Sequence, residues 1–343
     1  MEKEALFGKN LEELKAVVIA LGLPKFTANQ IADWLYKKDI NEIDEMSNLS
    51  KKARELLKEK YIFGTIAPVD MQESNDGTKK YLYNAPEGKF IEAAYIPDEN
   101  RNTLCVSSQI GCKMGCEFCM TGRQKFQGNL SAGTIVNQLR SLPEWHSVSN
   151  IVYMGMGEPM DNLKEVLKSL EIITSDWGMA MSPRRINVST IGVIPSLKEF
   201  IETSEAHLAI SLHSPFDEER KSIMPVQKAY PIKEVIAELK KHDWSGQRRL
   251  SFEYIVFDGL NHSEKHVKEL ARILTGLKYR INLIRFHQIP DSPLKSSNDD
   301  NLVNFQNQLK AKGILTTIRA SRGQDIDAAC GLLSTKKLLT ENK

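Results

Sequence analysis

Leu104-Cys105-Val106-Ser107-Ser108-Gln109-Ile110-Gly111-Cys112-Lys113-Met114-Gly115-Cys116-Glu117-Phe118-Cys119 is an apolar stretch that runs straight into a loop carrying three cysteines. Their spacing, C-x3-C-x2-C, lets three thiolates converge on one metal centre, and no fourth follows at a matching interval. A structural zinc site wants four protein ligands in a closed tetrahedron. A cubane 4Fe-4S cluster held by three cysteines leaves one iron free to bind another molecule, which implies chemistry rather than scaffolding. A strand that delivers such a loop at its carboxyl end points to an α/β fold with its site at that end.

The chain has 343 residues, enough for one large α/β domain plus an appendage of about 100 residues. Hydrophobic residues make up 41% and charged residues 26%, the balance of a folded globular protein. No apolar run approaches the roughly 18 residues that span a bilayer, and the start Met1-Glu2-Lys3-Glu4 lacks the form of a signal peptide. The expected compartment is the cytoplasm, with no membrane partner. Five cysteines are an odd, sparse set, unlike a secreted disulfide framework. A net charge of +2 neither points to RNA nor excludes it. Local basic sites stand at Lys113, Arg123 and Lys125, at Arg184-Arg185, at Arg248-Arg249, and at Arg319 with Arg322. Singly each reads as a solvated charge; several on one rim would hold a phosphate backbone.

Residues 1 to about 62 read as helical, with Leu11, Leu14, Val17 and Val18, then Ile31, Trp34 and Leu35, at helical spacing. Equal numbers of acidic and basic residues there argue against a basic arm. Residues 1–75 are expected to form a small helical accessory domain that meets RNA, 76–100 a β-hairpin linker, and 101–343 the core. In the core, strands Leu104–Ser108, Ile151–Met154, Ile186–Ser189, Leu208–Leu212, Phe252–Phe257 and Ile281–Phe286 alternate with helices, and Leu315–Arg319 follows as a last strand. Six βα steps predict a parallel sheet buried on both faces, as a partial (β/α)6 barrel, with a doubly wound open sheet as the competing arrangement.

Polar residues gather where those strands end: Gly155-Met156-Gly157-Glu158-Pro159, Ser189-Thr190, Ser211-Leu212-His213-Ser214 and Arg285-Phe286-His287. Each alone reads as a turn or an ordinary side chain; their shared rim with the cysteine loop makes them a candidate site. Cys105 and Cys330 stand apart from the loop, and a buried free cysteine is by default a small hydrophobe. Cys330 nonetheless sits between Ala329 and Gly331, a setting suited to an exposed thiol. Glu92 is a carboxylate in an otherwise apolar strand, Ile91 to Ala94.

The cysteine spacing resembles that of the radical S-adenosylmethionine (SAM) enzymes. Taken with Met154-Gly-Met-Gly-Glu-Pro159, Val188-Ser-Thr190 and Ala328-Ala-Cys-Gly331, the chain resembles, over nearly its whole length, the RlmN group of bacterial dual-specificity RNA methyltransferases. Those enzymes methylate C2 of adenosine in 23S rRNA and in tRNAs. The resemblance implies that Cys112, Cys116 and Cys119 ligate one 4Fe-4S cluster. It implies that Gly157, Glu158, Ser189, Ser211, Leu212 and His213 contact SAM, and that His287 does so where the family commonly has Asn. It implies two SAM molecules per turnover, a methyl group carried on Cys330, Glu92 as the base that removes the C2 proton, and product release by a Cys105–Cys330 disulfide. Implied partners are 23S rRNA, tRNA and an electron donor such as flavodoxin, and the implied state is a monomer. Competing readings are the sister branch that methylates C8 of the same adenosine, a radical SAM activase, and an RNA-binding protein with a structural metal.

Overall fold

The computed structural model describes residues 3–334; residues 1–2 and 335–343, the outer ends of the expected first and last units, lie outside the described residues. The N-terminal part is helical, as its periodicity predicts. Helix Leu11–Ala20 starts at Asn10, whose side chain accepts from Glu13 N–H while the Glu13 carboxylate accepts from Asn10 N–H. Helices Thr27–Lys37 and Lys51–Lys60 follow, and a short parallel pairing of Glu4–Ala5 with Tyr61–Ile62 closes the unit. Gly8 adopts φ +90° and packs directly on Gly133, the second residue of helix Ala132–Arg140. Arg140 donates to the carbonyls of Lys38 and Ile40, and Lys168 pairs with Glu13 at 2.6 Å. The helical unit is therefore docked on the core's own helices.

The core is one ten-stranded sheet: β1 (Asp70–Glu73), β2 (Lys79–Ala85), β3 (Lys89–Ile96), β4 (Thr103–Cys105), β5 (Asn150–Tyr153), β6 (Ile186–Thr190), β7 (His207–Ser211), β8 (Leu250–Val256), β9 (Tyr279–Arg285) and β10 (Thr316–Ile318). Spatial order equals chain order from β1 to β10. The pairings β1–β2, β2–β3 and β3–β4 are antiparallel, and every pairing from β4 to β10 is parallel. Residues expected as a linking hairpin thus extend the sheet itself, and Asp70–Glu73 adds a strand that the sequence reading did not contain. A doubly wound sheet reverses strand order at its centre. This one never reverses, so the partial (β/α)6 arrangement holds.

Winding in one direction has a further consequence. Right-handed crossovers put the helices of all six connections on the same side of the sheet. The outward residues Leu104, Tyr153, Val188, Leu208, Ile210, Phe252, Tyr254 and Leu283 are buried there, each at most 1% exposed. Side chains alternate along a strand, and the opposite row mixes the polar or thiol side chains of Cys105, Asn187, Ser251 and Asn282 with the apolar Val152 and Ile284. They line a cavity of about 590 Å³. The sheet is buried on both faces, as expected: every residue of β8 is buried. One face packs on helices and the other encloses the cavity. Among the described residues, no helix is long and apolar enough to cross a membrane.

Gly8→Ala tests the docking of the helical unit. A Cβ there meets the Gly133 backbone, and the positive φ strains any L side chain. The expected cost is about 2 kcal/mol or more, seen as a lower denaturant midpoint in urea unfolding.

Candidate active site

After β4 the chain leaves the sheet, and Gly111 (φ +68°) and Gly115 (φ +64°) turn it through the cysteine loop. Cys112 and Cys116 are buried and Cys119 half-buried; Cys119 N–H donates to Cys116 C=O at 3.1 Å. Burial pushes the Cys112 thiol up to about 12, reinforced by Cys119. Burial, then Cys119 and Cys112, push Cys116 up as well. Three thiols that repel one another's charge in a dry pocket need a cation between them. Among the described residues no three His, Cys, Asp or Glu side chains close on a point that one metal ion could occupy. The donor set, three thiols and no fourth ligand, fits a cluster held at three corners.

The strand-end residues support this loop. His213 has φ +56° and is buried. Its Nδ1 accepts from Ile255 N–H at 3.0 Å, so Nε2 carries the proton. Burial and then Arg220 hold its pKa down to about 3, which keeps the ring neutral. That ring meets Phe118 of the cysteine loop edge-on at 4.8 Å. Glu158 is pushed up to about 7 by burial, against hydrogen bonds from Thr190, Ile191 and Met160. Its two oxygens accept Met160 N–H (3.1 Å) and Ile191 N–H (3.0 Å), joining the ends of β5 and β6. Gly157, at φ +102°, leaves no room for a Cβ against Gln109. Gly157, Glu158, Ser189, Ser211, Leu212 and His213 stand at or just beyond the carboxyl ends of β5, β6 and β7, where His213 packs on the loop, while Cys105, Cys119, His287 and Cys330 line the cavity itself.

The sequence reading missed Arg220. It is fully buried, and its guanidinium donates to Leu212 C=O (3.1 Å), Ser211 C=O (3.0 Å), Ile191 C=O (3.0 Å) and the Gln227 side chain. Burial lowers its pKa to about 10, and Cys116 is foremost among the groups that support its charge. One side chain thus ties the exits of β6 and β7 beneath the cysteine loop. Its signal in the sequence, a lone Arg in Asp217-Glu-Glu-Arg-Lys, is indistinguishable from a solvated helix face.

The C-terminal segment returns to the same place. Gly331 (φ +84°) lies against Phe118 C=O, its own C=O accepts Met120 N–H at 2.8 Å, and Thr121 donates to Leu333 C=O. Two acids anchor this segment to the β1–β2 turn. Asp76 accepts Gly323 N–H at 2.9 Å, and Asp325 accepts the Ser74 hydroxyl. Against the raising effect of burial, bonds from Thr78 and Gly323 hold Asp76 at about 2. Cys330 is thereby held on the cavity wall with Cys105. Burial pushes Cys105 up to about 12, with Cys330 adding to the rise and Arg319 opposing it. Cys330 itself is exposed on that wall, in keeping with its Ala-Gly setting, and the surrounding protein raises its pKa, again opposed by Arg319. Arg319, also missed from sequence as a site residue, donates to Glu253 at 2.9 Å and faces both thiols. Glu253, Asn282 and Asn187 escaped notice as well, although their alternation with apolar neighbours in Leu250-Ser-Phe-Glu-Tyr and Ile281-Asn-Leu was a usable sign of a polar inner face. Glu92 on β3 is buried, 3.4 Å from Lys80 Nζ, and accepts Ser334 N–H at 2.7 Å. Burial pushes it up to about 7, against Lys80 and Ser334. His287 is buried and held below its ordinary value by burial and Arg285.

A three-cysteine loop at the carboxyl ends of a singly wound α/β barrel defines a radical SAM enzyme. The radical SAM superfamily pattern matches residues 106–271, and the pattern of the ribosomal RNA large subunit methyltransferase N-terminal domain matches residues 5–62. A probable dual-specificity RNA methyltransferase RlmN of Bacteroides fragilis is 55% identical over 343 residues, covering 100% of both chains. The dual-specificity RNA methyltransferase RlmN of Syntrophus aciditrophicus is 41% identical over 333 residues, covering 96% of each. A crystal structure of a radical SAM methyltransferase from Sphaerobacter thermophilus aligns with a TM-score of 0.90 at 37% identity, over 96% of this chain and 99% of that one. The chain belongs to the RlmN family of radical SAM RNA methyltransferases.

Arg220→Ala leaves several buried carbonyls without a donor and removes the tie between strand exits. The expected loss is about 3 kcal/mol or more, measured by urea unfolding of the full chain.

Proposed function

We propose that this enzyme methylates C2 of an adenosine in 23S rRNA and in tRNAs, with Cys330 as methyl carrier, Glu92 as base and Cys105 as the thiol that releases the product. The observation that carries this reading is that Cys105, Cys330 and the loop cysteine Cys119 share one cavity. A 4Fe-4S cluster on Cys112, Cys116 and Cys119 and SAM beside it would supply a methyl group and a 5′-deoxyadenosyl radical. C2 of adenine is electrophilic and has no lone pair, so polar methylation fails and a stored carbon group is needed.

The chain's own residues suit the remaining tasks. Arg319 places a positive charge beside both thiols, which favours the thiolate that Cys330 needs to accept a methyl group. Glu92, raised to about 7, takes up a proton near neutral pH, and it accepts the N–H of Ser334, four residues beyond Cys330 in the chain. Attack of Cys105 on Cys330 then frees the methylated base as the disulfide forms. Gly157, Glu158, Ser189, Ser211, Leu212 and His213 form the SAM-binding rim, and His287 reaches toward the same cofactor from the cavity wall. The first unit, residues 1–75, acts as an RNA-binding accessory domain, and the monomer works in the cytoplasm with a flavodoxin-type electron donor. C2 rather than C8 chemistry is favoured by the match of residues 5–62 to the N-terminal domain of large-subunit methyltransferases.

Cys330→Ala is expected to abolish methylation of rRNA while leaving the iron and sulfide content intact; full activity in that variant overturns the two-cysteine scheme. A carboxylate raised to about 7 is an active base only above that value. Methylation should therefore fall about tenfold per pH unit below pH 7, and Glu92→Gln should lose the activity that this limb reports. Nuclease digestion of the product against C2- and C8-methyladenosine standards decides the regiochemistry.

A further inference from the structure

The cavity has a second end. Arg184 and Arg185 immediately precede β6, Arg249 immediately precedes β8, Arg280 is the second residue of β9, and Arg101 stands just before β4. All five line the cavity, at the amino ends of the strands, opposite the cysteine loop. The paired basic residues in the sequence separate here. Arg248 is used internally, donating to Ala206 C=O (2.9 Å) and Ile201 C=O (2.8 Å) between the rings of Phe200 and Trp244. Its neighbour Arg249 faces the cavity.

Among the described residues, Arg101, Arg184, Arg249 and Arg280 have no carboxylate within ion-pair distance, whereas Arg322 on the same wall reaches Asp98 at 4.0 Å and Arg319 is held by Glu253. Their charges crowd one another. Burial and then Arg249 lower Arg280, and burial with Arg249, Arg248, Arg280 and Arg184 hold His207 among them down to about 4, hence neutral. Unpaired guanidiniums around one concavity raise the energy of the free protein, and an anion bound among them removes that repulsion. Deeper in the same cavity, Asn187 Oδ1 is buried without a hydrogen-bond partner. That atom is an acceptor waiting for a donor from a ligand.

We propose that this amino-end rim seats the phosphodiester backbone of single-stranded RNA, with Arg184, Arg249 and Arg280 on successive phosphates and Asn187 receiving a base or ribose donor. The proposal rests on the reading of the chain as an RNA methyltransferase and adds where its substrate is gripped. Arginine forks match phosphate oxygens. A strand of separated charges fits a rim of separated cations better than one compact anion does. A neutral His207 leaves the rim's charge to the arginines. The target base then extends from the rim toward Cys330 through the polar interior.

Fluorescence anisotropy of the full chain with a labelled RNA hairpin, whose loop carries the target adenosine, tests this at several salt concentrations. Arg249→Ala and Arg280→Ala should each weaken binding about tenfold and shrink the salt slope by about 0.7 per lost phosphate contact. Asn187→Leu should weaken binding at an unchanged slope. In steady-state methylation the arginine variants should raise KM for RNA and keep kcat. Arg249→Lys, which keeps the charge, should retain the wild-type slope and guards against misfolding. If the wild type methylates the hairpin while Arg249→Ala and Arg280→Ala bind it with wild-type affinity and slope, the rim is refuted and the enzyme reading stands. If the wild type neither binds nor methylates any such RNA, the functional reading fails and takes the rim with it.

Discussion

Winding the strands in one direction is the constraint on which everything else in this molecule rests. With all crossover helices on one side, each strand must offer an apolar row to those helices and is free to carry polar groups on the other row. Strand β8 shows the result in seven residues: Leu250, Phe252, Tyr254 and Val256 meet helices, while Ser251 and Glu253 face inward. The inner row is costly to bury without partners, and the chain supplies them as a network. Glu253 accepts from Arg319 and Asn282, and Asn282 accepts from Thr317. A sheet apolar on both sides would have collapsed on itself. This one keeps a chamber.

The chamber's two ends are built on different electrostatics. At the carboxyl ends, burial disfavours negative charge on the Cys112 and Cys105 thiols. Two arginines offset this: the fully buried Arg220 beneath Cys116, and the half-buried Arg319 beside Cys105 and Cys330. Arg220 spends its donors on carbonyls at strand exits, so the residue that supports a thiol also sets the shape of the rim. At the amino ends the cations are paired with nothing comparable, and the potential there is open to a partner. One barrel thus keeps compensated charge near its thiols and uncompensated charge away from them.

The cysteine loop illustrates how position is imposed from outside the motif. His213 packs on Phe118, Gly331 on the Phe118 carbonyl, and Glu117 N–H reaches Ile223 C=O. Three distant parts of the chain therefore close on eight residues. The last of them, the Cys330 segment, is pinned by Asp76 and Asp325 on the antiparallel edge of the sheet. The hairpin strands that looked like a connector are the anchor for the segment that carries Cys330.

Local pattern was enough to reveal the alternation of strands and helices, the C-x3-C-x2-C loop and the glycines that punctuate it, because spacing and backbone freedom are properties of neighbouring residues. Glu92 and the strand-end polar groups were visible for the same reason, as polar exceptions in apolar runs. Arg220, Arg319, Asp76 and the unequal fates of Arg248 and Arg249 were not. Each has ordinary neighbours in the chain, and each acquires its role from carbonyls, amides, thiols or aromatic rings that mostly lie far away in sequence. Whether a charge is buried, paired or left facing a cavity depends on what the fold brings across from it, and no stretch of chain carries that information alone.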